Sequence, residues 1–420
     1  MHEHRQQGGI MKSFLKVGDQ KFLQELNRTL VINTIYHYES ISRIEISKIT
    51  KLSQSTVSNV VETLRNEGYV KETGIGSSTK SGGRKPTLIS INNQGAYIVS
   101  VAIVTEAFHI TLQLGLFDLG FNLVREHEVE LNVKGVKLVD SIKSIVKGFI
   151  AENADKNILG IGVSVPTVLN NEGVIYRGHL LELDHYPLEK ELKKEFARLP
   201  VLVEQEQHAA MLGERALGTG KNIANIIYIT VGRGIGSSVM VNNQLIKGAD
   251  GAAGEIGHMS INKYGERCFC GKEGCLRLYA TELAFINKIK EAINNEMDLP
   301  HKIYNPAVNQ IFVKEVYKEA VNGDPFSRSL LTDLLENLCL GLSNLIHIIN
   351  PERIIVGGNL LNAKEIVIPY LNEKLKEIVE SPADEVEVVE ANLGTKSSLF
   401  GAASIIFDKH FLRKDLLINR

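Results

Sequence analysis

The chain has 420 residues, of which 44% are hydrophobic and 23% charged, and a formal net charge of −2. That balance is typical of a globular protein, and the length exceeds one ordinary core, so two or three domains are expected. A net charge this small excludes wholesale attraction to nucleic acid, so any such contact needs a local basic patch. No apolar run reaches the roughly 20 residues of a membrane helix, which points to the cytoplasm.

Residues 1–26 open with MHEHRQQGGI, carry no periodic apolar pattern and read as a leader, with Met11 offering an alternative start. From Asn27 the pattern becomes helical. Leu30, Val31, Thr34 and Ile35 recur at helix spacing to about Tyr38, and Ile44, Ile46 and Ile49 mark a second helix. After a turn at Lys51 and Leu52, Ser53 is placed to cap a third helix whose apolar face is Val57, Val60, Val61 and Leu64. Its other face offers Gln54, Ser55, Thr56, Ser58 and Asn59, small hydroxyl and amide side chains that suit base edges and phosphates.

A strand pattern follows at 68–75, and then GSSTKSGGRKPTLISI reads as the wing of a winged helix. Between Lys71 and Ser90 four residues are basic and one is acidic. Gly82 and Gly83 would let Arg84 and Lys85 approach a narrow minor groove. Residues 27–92 are therefore expected to form a winged helix-turn-helix DNA-binding domain, with Gln54, Ser55, Thr56, Ser58, Asn59, Arg84 and Lys85 at the DNA.

Beyond Asn92 strands alternate with helices. Strands are expected at 97–103, 110–117, 123–131 and 158–165, with a helix over 136–149. A second strand-led half follows at 226–230 and 237–241, with GRGIG between its two strands. Two similar halves suggest a duplicated actin-like α/β fold with a cleft between lobes. The lobes are expected at about 93–210 plus the C-terminal end, and at about 211–400.

The segment GEIGHMSINKYGERCFCGKEGC sets His258, Cys268, Cys270 and Cys275 within eighteen residues and uses three of the four cysteines of the chain. One imidazole and three thiols are the donor set of a tetrahedral Zn²⁺ site, and Gly271 and Gly274 allow a small knuckle to bend around the ion. Four protein ligands leave no open position, so the zinc is expected to be structural.

The GEIGH and C-x-CG-x-x-GC pattern resembles the ROK family (repressor, open reading frame, kinase). With the N-terminal winged helix, the chain is most similar to the family's xylose-repressor-like members. The resemblance implies sugar contact by Gln205, Glu206, Glu255 and His258, the histidine also serving zinc. Family kinases carry a D-x-G-G-T phosphate loop after the opening strand, where this chain reads Val101 to Glu106 without glycine. Their E-N-D-A-N run, which holds the catalytic aspartate, reads Glu204-Gln205-Glu206-Gln207-His208 here. Arg233 replaces the threonine of their second phosphate loop, and Arg277 replaces a glutamate after the last cysteine.

These readings imply a non-enzymatic, sugar-responsive repressor of carbohydrate-metabolism genes, and the resemblance implies xylose metabolism among its targets. Its expected partners are operator DNA and a sugar or sugar phosphate, and its expected assembly a homodimer or higher homo-oligomer. The alternatives are a ROK sugar kinase with a fused DNA-binding domain, or a regulator whose body binds a protein partner.

Overall fold

The computed structural model describes residues 20–76, 85–106, 109–297 and 299–412. Arg84 and the glycines before it lie outside the described residues.

Helix α1 (Gln20–Tyr38) starts within the segment expected to be leader, so residues 20–26 are helical. These first turns carry little buried surface, and Leu23 stays exposed, which is why apolar periodicity does not reveal them. Strand β1 (Ile41–Ser42) leads into α2 (Arg43–Thr50). Ser42 and Glu45 form a reciprocal capping box at its start, and Lys51 turns the chain in the left-handed region. Helix α3 (Gln54–Asn66) is capped by Ser53, whose hydroxyl accepts from the Thr56 amide at 3.1 Å. Val57, Val61 and Leu64 face inward against Val31, Ile35 and Ile46. Strands β2 (Val70–Ile75) and β3 (Thr87–Ile91) pair antiparallel, with β1 on the far side of β3.

The body repeats one sheet plan. In the first sheet β4 (Tyr97–Glu106), β5 (His109–Asp118) and β6 (Leu123–Leu131) form an antiparallel meander. After α4 (Gly135–Ala151), β7 (Ile158–Val165) joins β4 in parallel. Short β8 (Val168–Leu169) and β9 (Ile175–Arg177), then α5 (Leu188–Glu195), precede β10 (Val201–Gln205), which is parallel to β7. Helix α6 (Glu206–Leu217) leads on to the second sheet. There β11 (Ile226–Val231), β12 (Ile235–Val241) and β13 (Gln244–Leu245) form the antiparallel part. Helices α7 (Glu282–Asn294), α8 (Val313–Asn322) and α9 (Pro325–Ile349), with a small hairpin of β14 (Tyr304–Asn305) and β15 (Gln310–Ile311), come before parallel β16 (Arg353–Gly358). After α10 (Lys364–Ile378), β17 (Glu387–Glu390) completes the sheet beside β16. The two orders, β6-β5-β4-β7-β10 and β13-β12-β11-β16-β17, are therefore the same pattern twice.

Helix α11 (Ser397–Phe407) returns to pack on α6 and on β7 of the first sheet. The approach is backbone against backbone. A Cβ at Gly401 would lie 1.6 Å from the Ala209 carbonyl oxygen, and one at Gly162 would lie 1.7 Å from that of Ala402. The expected lobe divisions at 210 and 400 thus fall inside α6 and α11, because these two helices pack as a unit. Each sheet has its own apolar core, and a third core joins Val31, Ile35 and Ile89 to Phe407 and Phe411 of the C-terminal end. Among the described residues no helix is long and apolar enough to cross a membrane.

Candidate functional site

Strand β10 ends at Gln205 and α6 begins at Glu206, so the run 204–208 lies where the first sheet hands over to the second. Glu204 is buried, and His208 Nδ1 lies one helical turn on, 3.1 Å from Glu204 Oε1. Lys247, in the loop after β13, donates to Glu204 Oε2 from the second lobe. Burial alone would raise the Glu204 pKa. The hydrogen bond from His208 and the bonded charge of Lys247 outweigh it and hold the carboxyl below its usual range. Glu206 has no such partner, and desolvation pushes its carboxyl up to about 7.

Glu255 and His258 stand at the two ends of a short 3-10 turn, Ile256–His258. Glu255 keeps exposed surface, yet desolvation by the surrounding protein raises its pKa, while the charge of Arg277 pulls it back. Arg277 lies over the Phe269 ring at 4.4 Å and its Nε is buried without a partner. Buried atoms also lack partners at Gln205 Oε1 and His208 Nε2 around the start of α6, at Ser164 Oγ on β7 and at Ser238 Oγ on β12, while Asn33, Gln113, Arg353 and Asp384 carry others elsewhere in the chain. A buried polar atom without a partner costs roughly 1–3 kcal/mol, so Gln205 and His208, close together in the chain, make the start of α6 a candidate place for a ligand to complete the bonding.

One donor atom each from His258, Cys268, Cys270 and Cys275 lies within 4.8 Å of the others. Cys268 Sγ is 3.6 Å from His258 Nδ1, and Cys270 Sγ is 3.6 Å from Cys275 Sγ. Tetrahedral zinc with its usual bond lengths separates such atoms by roughly 3.5–3.8 Å, so the set fits this ion. The knuckle is built as its glycines suggest. Gly274 is left-handed at φ 65°, and a Cβ there would lie 1.6 Å from the Asn262 carbonyl oxygen. Desolvation and the nearby Arg277 and Lys272 charges lower the His258 pKa, which favours the neutral ring a metal takes.

On the N-terminal module Gln54, Ser55, Ser58 and Asn59 are exposed on α3 and Thr56 is half-buried. Lys85 is exposed just before β3, and Arg84 is outside the described residues.

A model of the ROK family matches residues 109–409. The chain belongs to the ROK family. The xylose repressor of Caldicellulosiruptor bescii is 32% identical over 366 residues, covering 86% of this chain and 89% of the relative. The Escherichia coli repressor Mlc is 23% identical, over 91% of this chain and 93% of its own. The crystal structure of a ROK family transcriptional regulator homologous to Mlc superposes with a TM-score of 0.81 at 22% identity, covering 94% of this chain and 98% of its own. A Streptomyces griseus ROK glucokinase, solved with glucose and AMPPNP, gives 0.63 at 25% identity, covering 74% of this chain and 99% of its own.

The expected phosphate-loop position is occupied by regular strand: β4 continues to Glu106 and pairs Thr105 with Ile110 and Glu106 with His109. Of the sugar-site residues expected from the sequence, Gln205 and Glu206 fall at one junction, while Glu255 and His258 share one turn. Glu204, His208 and Lys247 were not anticipated, although Glu204 and His208 at i and i+4 on adjoining strand and helix offered a signal.

Proposed function

We propose that the chain is a sugar-responsive, DNA-binding transcriptional repressor of carbohydrate-metabolism genes and has no kinase activity. The observation that carries this reading is the pairing of two features in one chain. Strand β4 runs through the phosphate-loop position, while two buried polar atoms, Gln205 Oε1 and His208 Nε2, remain without partners at the start of α6. A site without a phosphate cradle but with hydroxyl-seeking groups suits recognition of a sugar and not phosphoryl transfer.

Residues up to 92 act as a winged helix-turn-helix in this reading, and residues from 93 as the sugar-binding body in two lobes. Gln54, Ser55, Thr56, Ser58 and Asn59 contact operator bases and phosphates from α3, with Arg84 and Lys85 at the wing. Gln205, Glu206, Glu255 and His258 contact the sugar. His258 turns Nδ1 toward the thiols, so Nε2 is the nitrogen left for the ligand. His258, Cys268, Cys270 and Cys275 hold one structural Zn²⁺, which fastens Glu255 and His258 at the cleft. The protein works in the cytoplasm as a homodimer that spans two half-sites about one helical turn or a multiple apart.

The test is a gel shift with operator DNA and a panel of free sugars, run beside an ADP-release assay with Mg²⁺ and ATP. Release of operator by one sugar, with no sugar-dependent ADP, is the expected result. The second reading, a kinase with a fused DNA-binding domain, draws on the carboxylate kept at Glu206. Sugar-dependent ADP release that is lost in Glu206→Ala would establish it and overturn the first.

A further inference from the structure

His208 is 1% exposed and offers two ring nitrogens with different fates. Nδ1 faces a carboxylate oxygen of Glu204, which only accepts when ionised, so the proton of the neutral ring lies on Nδ1. Nε2 then presents a lone pair, and it has no partner. Glu204 is fixed in turn by Lys247 from the other lobe. The same loop is tied to the first lobe a second time, where Asn171 Nδ2 donates to the Ala249 carbonyl at 2.8 Å.

We propose that His208 is the residue with which the cleft selects its ligand: Nε2 accepts an O–H from an uncharged, hydroxyl-rich molecule once the loop 246–254 lifts from the first lobe. This assignment rests on the sugar-binding reading above and narrows it to unphosphorylated sugars. The neighbouring groups point the same way. Gln205 Oε1 accepts only, the Ser164 hydroxyl, beside Glu204 in the sheet register, accepts as well as donates, and Glu204 holds a carboxylate against the ring, with the Glu206 carboxyl two residues before it in the chain. Arg277 Nε is the unpartnered donor among these groups, and its guanidinium is engaged by the Phe269 ring and the field of Glu255. A phosphate dianion would meet more acceptors than donors here, whereas a hydroxyl finds both.

The experiment is calorimetric titration of the full-length, metal-loaded protein with D-xylose, D-glucose, N-acetyl-D-glucosamine and D-glucose 6-phosphate. His208→Phe, His208→Asn and Glu255→Gln are titrated beside the unaltered chain, and a melting transition shows that each variant is folded. At least one free sugar should bind, and D-glucose 6-phosphate should bind at least about tenfold more weakly than that sugar. His208→Phe should lose about tenfold or more in affinity, because the ligand hydroxyl is left unpaired. His208→Asn, which keeps an acceptor on a shorter arm, should change the ranking of the sugars and serves alone if His208→Phe does not fold. Unchanged affinity and ranking in the folded His208 variants, or binding of the phosphate alone, would overturn the assignment. In that case loss of binding in Glu255→Gln would leave the sugar reading standing. If no sugar binds the unaltered protein, both fall together.

Discussion

Tyr69, at the entry to the wing hairpin, and Phe411, in the last described turn, meet edge to face with ring centroids 5.2 Å apart. Tyr36 on α1 and Phe121 after β5 contact Phe407 at 4.9 and 5.0 Å, and Asn33 Nδ2 donates to the Leu412 carbonyl. The N-terminal module is therefore anchored to the end of α11. That helix packs along α6, which carries Glu206 and His208, and Ser397 at its other end donates to the buried Glu214 at 2.9 Å. A packed pair of helices thus connects the start of α6 to the N-terminal module.

The prediction from this connection concerns Phe411→Ala. Truncating a buried phenylalanine costs about 3–5 kcal/mol where the site cannot collapse, and this interface is built of aromatic rings. Denaturant unfolding should show a clear loss of stability. Sugar affinity should be kept, while the sugar-induced change in operator affinity should shrink. A variant with full sugar response in gel shifts would show that the signal passes elsewhere.

Glu206 gives a prediction for pH. Its carboxyl is raised to about 7 in the folded protein, above its ordinary value, so the folded state holds the proton more tightly than the unfolded chain. Stability contributed by the protonated form is then full below the unfolded pKa and is lost as pH rises toward about 7. Glu206→Gln removes this dependence. Its melting temperature should rise relative to the unaltered protein between pH 5 and pH 7 and then run parallel to it. Parallel behaviour over the whole range would mean that the carboxylate is solvated.

How much of this was legible in the sequence depended on whether the determinants are local. The grouping of His258 with Cys268, Cys270 and Cys275 could be read because all four lie in one short segment whose glycines fix the turns. Helix α3 could be read because Ser53 and the spacing of Val57, Val61 and Leu64 act within a few residues. The Glu204, His208 and Lys247 cluster could not, since Lys247 is 43 positions from Glu204 and meets it only when the two lobes are assembled. The first turns of α1 escaped for a different reason. They bury little surface, and Leu23 stays exposed, so no apolar stripe marks them in the sequence.

Metal removal separates the four cysteines. Cys268, Cys270 and Cys275 share the His258 corner, whereas Cys339 is buried in α9 with its thiol pushed up to about 12 by desolvation. About one zinc per chain is expected. Chelation of the native protein should expose three thiols to a colorimetric disulfide reagent and lower the melting temperature, with the fourth thiol reacting only after denaturation. Cys275→Ser should lose the metal and Cys339→Ser should keep it. Elemental analysis showing full metal in Cys275→Ser would remove that residue from the ligand set.

At the DNA-binding face the prediction divides base reading from phosphate contact. Asn59 is exposed on α3, a little over one turn from its capped start, and among the described residues its side chain makes no hydrogen bond that would hold it back from a base edge. Lys85 is exposed at the start of the wing strand. Asn59→Ala should therefore cost about 1–3 kcal/mol of discrimination between operator and altered sites while non-specific binding is kept. Lys85→Ala should weaken binding to every sequence and reduce the salt-dependence slope by about one counterion. Binding titrations over a range of salt, with operator and scrambled duplexes, read both quantities. If the two variants change the same quantity, α3 and the wing do not divide the work between base reading and phosphate contact.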